Sequence, residues 1–468
     1  MPRNQPRGQP GPRKPSNEVV VTPEGWLSRG EAFVRGEGKQ LAVYGGIPGE
    51  AVRVRVLDRT GPVHRARAIA PVGKPHPDRV VPACERWNLC GHCPLMHLSA
   101  EGQRRAQHAL ISHAFEGFAV DPVVAGEHVD VLHAVDLVAG WSDERRPRLG
   151  IVGREGKVVP IPECPVVHPD LRALMNVAAH HMIELELHPW DGHRGSVRAL
   201  HARRTRAGEV VVTLIMGRAG HFTGQWAQAI AGGLAAVVGV AAHFNDAPGW
   251  DHVVRDESGA IPASPLTGRV FVEDTIAGLR IRIGPLDPFP AVPAMAERAV
   301  EALVEMLAPA AGDAVLDVGT GLGIRALALA RAGGWALGVD EREDLVRRAR
   351  ESAALSGVTA EFATGELPVA RLAGLRPLVV ADVGRKGLGG DVLDAIAGLA
   401  PRRVALVGQN PMALAQDARS LTKRGLRLRR VAPFDVAPHT MFVESVALLA
   451  SEDDSPPARR APRRKTLR

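Results

Sequence analysis

From position 19 to about 70, apolar and polar residues alternate in short runs broken by turn residues, the period of strands with one face buried. Strands are expected at 18–21, 32–35, 40–43, 51–57 and 66–70, and together they predict a small antiparallel β-barrel. Gly45-Gly46-Ile47-Pro48-Gly49-Glu50 reads as a turn, and the strand after it carries Arg53 and Arg55, a basic face of the kind small barrels present to nucleic acid. A loop holding three cysteines precedes a helix expected at 99–115. Between about 120 and 284 strands and helices mix, with strands at 209–216 and 279–283 and a helix at 226–237. Trp226 and Trp250 in this section are either core residues or surfaces for base stacking.

After Pro290 helix and strand alternate, which predicts a parallel sheet covered by helices on both faces. A helix at 294–307 leads to a strand at 314–318, the loop Gly319-Thr320-Gly321-Leu322-Gly323, a helix at 324–332 and a strand at 335–339 that ends on Asp340. Such a loop brings backbone amides and a helix start close to an adenosine-bearing ligand, and an acid about 20 positions on can take both ribose hydroxyls. Asp340 follows Gly319 by 340 − 319 = 21 positions, and Asp317 precedes the loop. The dinucleotide fingerprint requires glycine where Ile324 stands, so S-adenosylmethionine is favoured over NAD. The cofactor-binding candidates are Asp317, Gly319, Gly321, Gly323 and Asp340; a ligand-free strand-to-helix turn is the competing reading.

At 468 residues with 45% hydrophobic and 23% charged positions, the chain has the composition of two or three soluble domains. Its net charge, 58 − 51 = +7, points to an anionic partner. Arg3, Arg7, Arg13 and Lys14 in 1–17, and Arg459, Arg460, Arg463, Arg464 and Lys465 in 451–468, predict disordered basic arms, serving either solubility or RNA contact. The longest apolar-rich run, 232–242, is shorter than the ~20 residues that span a bilayer, and no export segment is evident, so no membrane contact and a cytoplasmic location are expected. Cys84, Cys90, Cys93 and Cys164 are the four cysteines, the first three separated by five and two residues. Clustered thiols in a reducing compartment indicate metal ligation, by a four-iron cluster or a tetrahedral zinc; three close ligands plus a remote one favour the cluster.

In this order the segments from 19 to 449 resemble the bacterial iron-sulfur RNA uracil-C5 methyltransferases that carry an N-terminal TRAM barrel. Ile47-Pro48-Gly49-Glu50 is similar to the TRAM Leu-Pro-Gly-Glu turn, and the cysteines match the family's cluster motif, with Cys164 as fourth ligand. The resemblance implies a multidomain chain: an OB-like TRAM barrel at 18–75, a mixed α+β central domain with the cysteine loop at 76–290, and a Rossmann-like α/β class I methyltransferase domain at 291–450. It also implies a 4Fe-4S cluster, S-adenosylmethionine, a structured rRNA or tRNA partner and a monomer. In that family a cysteine thiolate adds to uracil C6, C5 takes the methyl group, and a carboxylate removes the C5 proton.

The family's Ser-Cys-Asn-Pro nucleophile segment reads Gly408-Gln409-Asn410-Pro411 here, and an amide offers no anionic atom to a pyrimidine. Gln409 is therefore expected to be inert. The Phe-Gln-x-Asn element reads Phe289-Pro290-Ala291-Val292, the Asp-Pro-Pro-Arg loop reads Asp382-Val383-Gly384-Arg385, and Gly319-Thr320 replaces a Tyr-Cys pair. Glu444, after Pro438-His439-Thr440, aligns with the proton-removing carboxylate, so Glu444 and Asp382 are the catalytic candidates. Within an RNA-binding member of this family three functional classes stand: a methyltransferase for an RNA nitrogen or oxygen that is already nucleophilic, a silent RNA-binding paralogue, and an ordinary uracil-C5 methyltransferase with an unrecognised base or nucleophile, which the missing thiolate disfavours most.

Overall fold

The computed structural model describes residues 17–36, 39–249, 252–257 and 259–454, so the basic residues of both arms and Trp250 lie outside the described residues. The described chain forms two compact units. One comprises 17–82, Pro94–Ala106 and His439–Met441; the other comprises Ala83–Cys93, Gln107–Pro438 and 442–454. No helix among the described residues is long and apolar enough to cross a membrane.

The first unit holds β1 (Glu18–Val21), β2 (Gly25–Trp26), β3 (Ala32–Gly36), β4 (Lys39–Tyr44), β5 (Val52–Asp58) and β6 (Val63–Pro71), hydrogen-bonded in the order β1-β5-β6-β4-β3-β2. The expected antiparallel arrangement needs correction. β6 pairs antiparallel with β5 along one edge and parallel with β4 along the other, because β5 inserts between them in sequence. Alternation does its predicted work in β5, where Val52, Val54 and Val56 enter the core and Arg53 and Arg55 face outward beside Glu18. The turn after β4 uses left-handed backbone at Gly45 and Gly49, and buried Glu50 fastens it by accepting from Arg79 Nε at 2.8 Å and the His76 amide at 3.0 Å.

Next come α1 (Trp87–Cys90) and α2 (Ala100–Ala114). The second unit then builds a seven-stranded sheet from β7 (Ala134–Trp141), β8 (Pro147–Val152), β9 (Val158–Val159), β10 (Val197–Arg204), β11 (Val210–Met216), β12 (Val237–Phe244) and β13 (Ser264–Gly268). α3 (Pro169–Glu184) and α4 (His221–Gly233) bury their apolar stripes against it. The helix expected to reach Val237 ends at Gly233 after two successive glycines, and β-branched Val237 opens β12, parallel to β11. Trp226 is fully buried and its indole donates to the Ala178 carbonyl at 3.1 Å, so it is a core residue.

A hairpin of β14 (Val272–Ile276) and β15 (Leu279–Ile283) precedes α5 (Pro293–Leu307), β16 (Ala314–Val318), α6 (Ile324–Arg331), β17 (Trp335–Asp340), α7 (Glu343–Ser356), β18 (Glu361–Thr364), α8 (Val369–Leu372), β19 (Leu378–Asp382), α9 (Gly390–Gly398), β20 (Arg403–Gly408), α10 (Pro411–Lys423), β21 (Arg427–Phe434) and β22 (Glu444–Ala450). The strands order as β18-β17-β16-β19-β20-β22-β21, parallel except for β22, which runs antiparallel to both neighbours. Both faces are buried, with Val315 in one core and adjacent Leu316 in the other. The sequence pattern divides the chain at 290/291. The β14–β15 hairpin and Val211 of β11 share one apolar core with α5 and this sheet, so the segments on either side fold as one unit.

Candidate functional site

Strand order reverses between β16 and β19, and in open sheets of this kind the crevice at the carboxyl ends of such strands is where ligands bind. Topology therefore gathers four segments at one edge. β16 runs into Gly319, β19 ends on Asp382, β20 runs into Gln409, and antiparallel β22 starts there with Glu444. They line a cavity of about 800 Å³ whose other wall carries Asp136, His201 and Arg203 from β7 and β10, together with Phe289. A volume of this size accommodates a cofactor and a nucleotide together.

The glycine loop is fixed from below. Gly319, Gly321 and Gly323 all have positive φ, and the amides of Gly319 and Thr320 both donate to the Val339 carbonyl, at 2.9 and 3.0 Å. Asp340 accepts from the Gly321 amide at 2.9 Å with one oxygen and from the Arg342 amide at 3.0 Å with the other, leaving each oxygen a lone pair. A Cβ at Gly321 would meet no atom within 4 Å, so open space lies over the loop where a ligand would approach. Asp317, expected to touch a ligand, is instead fully buried. It accepts from the Thr320 hydroxyl at 2.8 Å and the Ala326 amide at 3.1 Å, which makes it the brace of the loop.

Arg325, the second residue of α6, turns back into the cavity. Its Nη2 donates to the Gly319 carbonyl at 2.7 Å, its Nη1 to Asp382 Oδ2 at 3.1 Å, and its Nε lies 3.4 Å from Asp317 Oδ1. Burial works against this charge, but the fields of Asp317, Asp382 and Glu444 outweigh it, so the guanidinium is held more firmly protonated than usual. Burial pushes the Asp317 carboxyl above its ordinary range while Arg325 pulls it back. Glu444 behaves alike: burial raises it, Arg325 lowers it, Asp382 raises it further, and a hydrogen bond from the Gln409 amide lowers it. Beside Gln409, Asn410 caps α10, its Oδ1 accepting from the amides of Met412 at 3.1 Å and Ala413 at 3.4 Å, with Pro411 at the first helical position.

On the facing wall, β-pairing sets His201 opposite Asp136, and the two are hydrogen-bonded. Arg203, only 7% exposed, lies over the Phe289 ring at 5.3 Å, and its Nη1 has no hydrogen-bond partner among the described residues.

The cysteines form a second locus in the same unit. α1 ends at Gly91 in the left-handed region, where a Cβ would stand 2.5 Å from Arg154 Cγ, and Trp87 Nε1 donates to the Cys93 carbonyl at 2.7 Å. Arg172 holds the remote Cys164 segment of the site through the Cys164 carbonyl at 3.1 Å. The thiols sense one another. Burial first, and then the field of Cys164, push Cys84 and Cys93 up and carry Cys90 to about 11.

Of the residues singled out from sequence, the structure brings Gly319, Gly321, Asp382, Gln409 and Glu444 to one cavity and Cys84, Cys90, Cys93 and Cys164 to one electrostatic neighbourhood. Gly323 and Asp340 stand behind the loop, and Asp317 beneath it. Arg325, Arg203, Asp136 and His201 were not anticipated; the one local signal was an arginine directly after Gly323-Ile324 where the buried face of α6 begins.

No family model matches the chain. It is similar to the 23S rRNA (uracil(1939)-C(5))-methyltransferase RlmD of Aeromonas hydrophila, at 29% identity over 429 residues that cover 88% of this chain and 92% of that protein. It also matches an uncharacterized RNA methyltransferase of Gloeobacter violaceus, at 29% identity over 94% of this chain and 98% of that one. Among solved structures, the Pyrococcus abyssi tRNA (uracil-54, C5)-methyltransferase in complex with S-adenosyl-L-homocysteine superposes with a TM-score of 0.72, covering 92% of this chain and all of that one at 22% identity. This likeness establishes the fold, a multidomain chain with a class I methyltransferase sheet.

Proposed function

We propose that this chain is an RNA-binding member of the S-adenosylmethionine-dependent RNA uracil-C5 methyltransferase family, associating with ribosomal or transfer RNA, in which covalent uracil chemistry is blocked. One observation carries the reading. The strand-end position that would hold a nucleophile holds Gln409, and its amide is spent on Glu444 inside the cavity that also contains the glycine loop. An amide cannot form the bond to C6, and losing the nucleophile of a covalent route costs several orders of magnitude in rate.

The residues present fit the adenosyl ligand. The open space over Gly321 admits it, the Gly319–Gly323 backbone would lie along it, and the free lone pairs of Asp340 suit ribose hydroxyls. When bound, S-adenosylmethionine supplies an electrophilic methyl group. The chain's own residues then orient and exclude: Asp317 keeps the loop in shape, and Phe289 and Arg203 offer an aromatic face and hydrogen-bond donors to a base.

For the thiols we favour a 4Fe-4S cluster on Cys84, Cys90, Cys93 and Cys164 over zinc. Three ligands close in sequence and one remote, rather than two short pairs, is the spacing that favours it. Cys84, Cys90 and Cys93, whose thiols burial pushes up, also require an external positive centre to become thiolates, and a reducing, cytoplasmic setting suits them.

The test uses anaerobically purified full-length protein. Calorimetric titration with S-adenosylmethionine, gel retention of total RNA, and nucleoside mass spectrometry are expected to show binding of both ligands without new 5-methyluridine. A covalent adduct between the native chain and 5-fluorouridine-substituted RNA would defeat the reading. Transfer to a nitrogen or oxygen that is already nucleophilic is a second reading, favoured by the open loop and available Asp340, and would appear as a different methylated nucleoside.

A further inference from the structure

The charge pattern of the cavity bears on which form of the adenosyl ligand it prefers. Two carboxylates, those of Asp382 and Glu444, line it, a third, Asp317, is buried beneath its glycine loop, and left alone they would draw a sulfonium cation. Arg325 stands among them. It bonds Asp382 at 3.1 Å and the Gly319 carbonyl at 2.7 Å, so its charge lies between the glycine loop and the far side of the crevice. Arg325, Asp382, Glu444 and the loop residues 319–322 line one continuous cavity, so the sulfur of a ligand seated on that loop lies within the field of this guanidinium. In a crevice walled by protein a unit charge acts several times more strongly than in water.

We infer that Arg325 sets the charge preference of the site, cancelling the pull of the carboxylates on the sulfonium of S-adenosylmethionine so that the uncharged thioether S-adenosylhomocysteine binds at least as tightly. The inference rests on the adenosyl-site reading above and goes beyond it. Whatever charge the remaining groups carry, the two ligands share adenosine and amino acid and differ by one methyl group and the positive charge it brings to sulfur. Removing Arg325 therefore shifts their ratio toward the sulfonium. Removing a carboxylate shifts it the other way.

Isothermal titration of the anaerobic full-length protein with each ligand gives the ratio directly. The native chain is expected to bind the thioether as tightly as, or more tightly than, the sulfonium form. An analogue carrying a protonated amine in place of the sulfonium should follow S-adenosylmethionine. In Arg325→Met the ratio should move on the order of tenfold toward S-adenosylmethionine. Because Arg325→Met leaves Asp317 without its cation, Asp382→Asn, at an exposed position, serves as the second variant and should move the ratio toward the thioether. Tighter binding of S-adenosylmethionine by the native chain, or a ratio unmoved in both variants, overturns the role of Arg325 while leaving the adenosyl site standing. Binding of neither ligand by the native chain overturns both.

Discussion

At the cysteine loop, four thiols face one another, and burial together with their mutual fields pushes three of them above the ordinary range. At the cavity, Asp382 and Glu444 line the wall with Asp317 buried beneath the loop, but Arg325 stands among the three and is bonded to Asp382 and the loop carbonyl. The first locus gathers groups whose anionic forms the surrounding chain does not stabilise, and under the function proposed above a metal centre completes it. The second contains its own counter-charge and is complete before any ligand arrives. On that reading one unit carries a site built around something external and a site that contains its own counter-charge.

The largest expected effect tests the first half of that contrast. Cys93→Ser should abolish bound iron and sulfide and lower stability by about 4 kcal/mol or more, since loss of a structural metal belongs to the most damaging class of substitution. Metal analysis and thermal unfolding of the anaerobic protein read both. A native protein without bound metal, with a Tm unchanged in Cys93→Ser, would mean that the thiols are ordinary half-buried groups and the contrast is empty.

Asp317→Ala addresses the second half. It strips the Thr320 hydroxyl and the Ala326 amide of their acceptor and leaves Arg325 without its deepest partner. Breaking a buried pair from one side costs about 3–5 kcal/mol, so denaturant unfolding should show a loss of that order. A loss under about 1 kcal/mol would show that Asp382 and Glu444 balance Arg325 by themselves, and that Asp317 is only a loop brace. Smaller still is Asn410→Ala, which removes the cap of α10 and the hydrogen bond to the Arg385 carbonyl at 2.9 Å. About 1 kcal/mol is expected from the cap. A larger cost, read by the same unfolding, would mean that Asn410 also positions the Asp382 loop, tying this segment more closely to the cavity.

What was legible in the sequence follows the same division. Asp382, Gln409 and Glu444 were legible only through the family resemblance, whereas the cysteines, the glycine loop and Asp340 announce themselves because their chemistry depends on spacing written locally. Arg325 does not, because one arginine early in an amphipathic helix reads as a solvated side chain until the fold shows what it faces. Asp136 and His201 meet only because β7 pairs with β10, and Arg203 joins that wall two residues further along the same face. The parallel β4–β6 pairing was equally hidden, since alternation fixes which residues face inward and says nothing about which neighbour a strand takes. Asp317 was read as a ligand contact because it adjoins the loop, whereas the fully buried carboxylate had to take partners from the protein itself.

Glu444→Gln gives the smallest effect and the finest test, because its sign changes with the state of the cavity. Burial leads the shift that holds the folded carboxyl of Glu444 above its ordinary value of 4.5, so the folded chain keeps this proton where the unfolded chain has released it. Stability from this residue is therefore intact below the unfolded value, declines as pH rises through the interval up to the raised folded value, and levels off beyond it. A neutral glutamine carries no such loss. The variant should match the native chain near pH 4, and its Tm advantage should grow toward pH 8, as thermal melts across that range would record. If Arg325 instead balanced Glu444 fully, the native carboxylate would gain as it ionised, and the variant would be the less stable protein at pH 8. That reversal would mean that the pocket's internal counter-charge is stronger than burial. It would also predict that Arg325→Met, with the cation gone, restores the upward shift and returns the advantage to glutamine in the double variant.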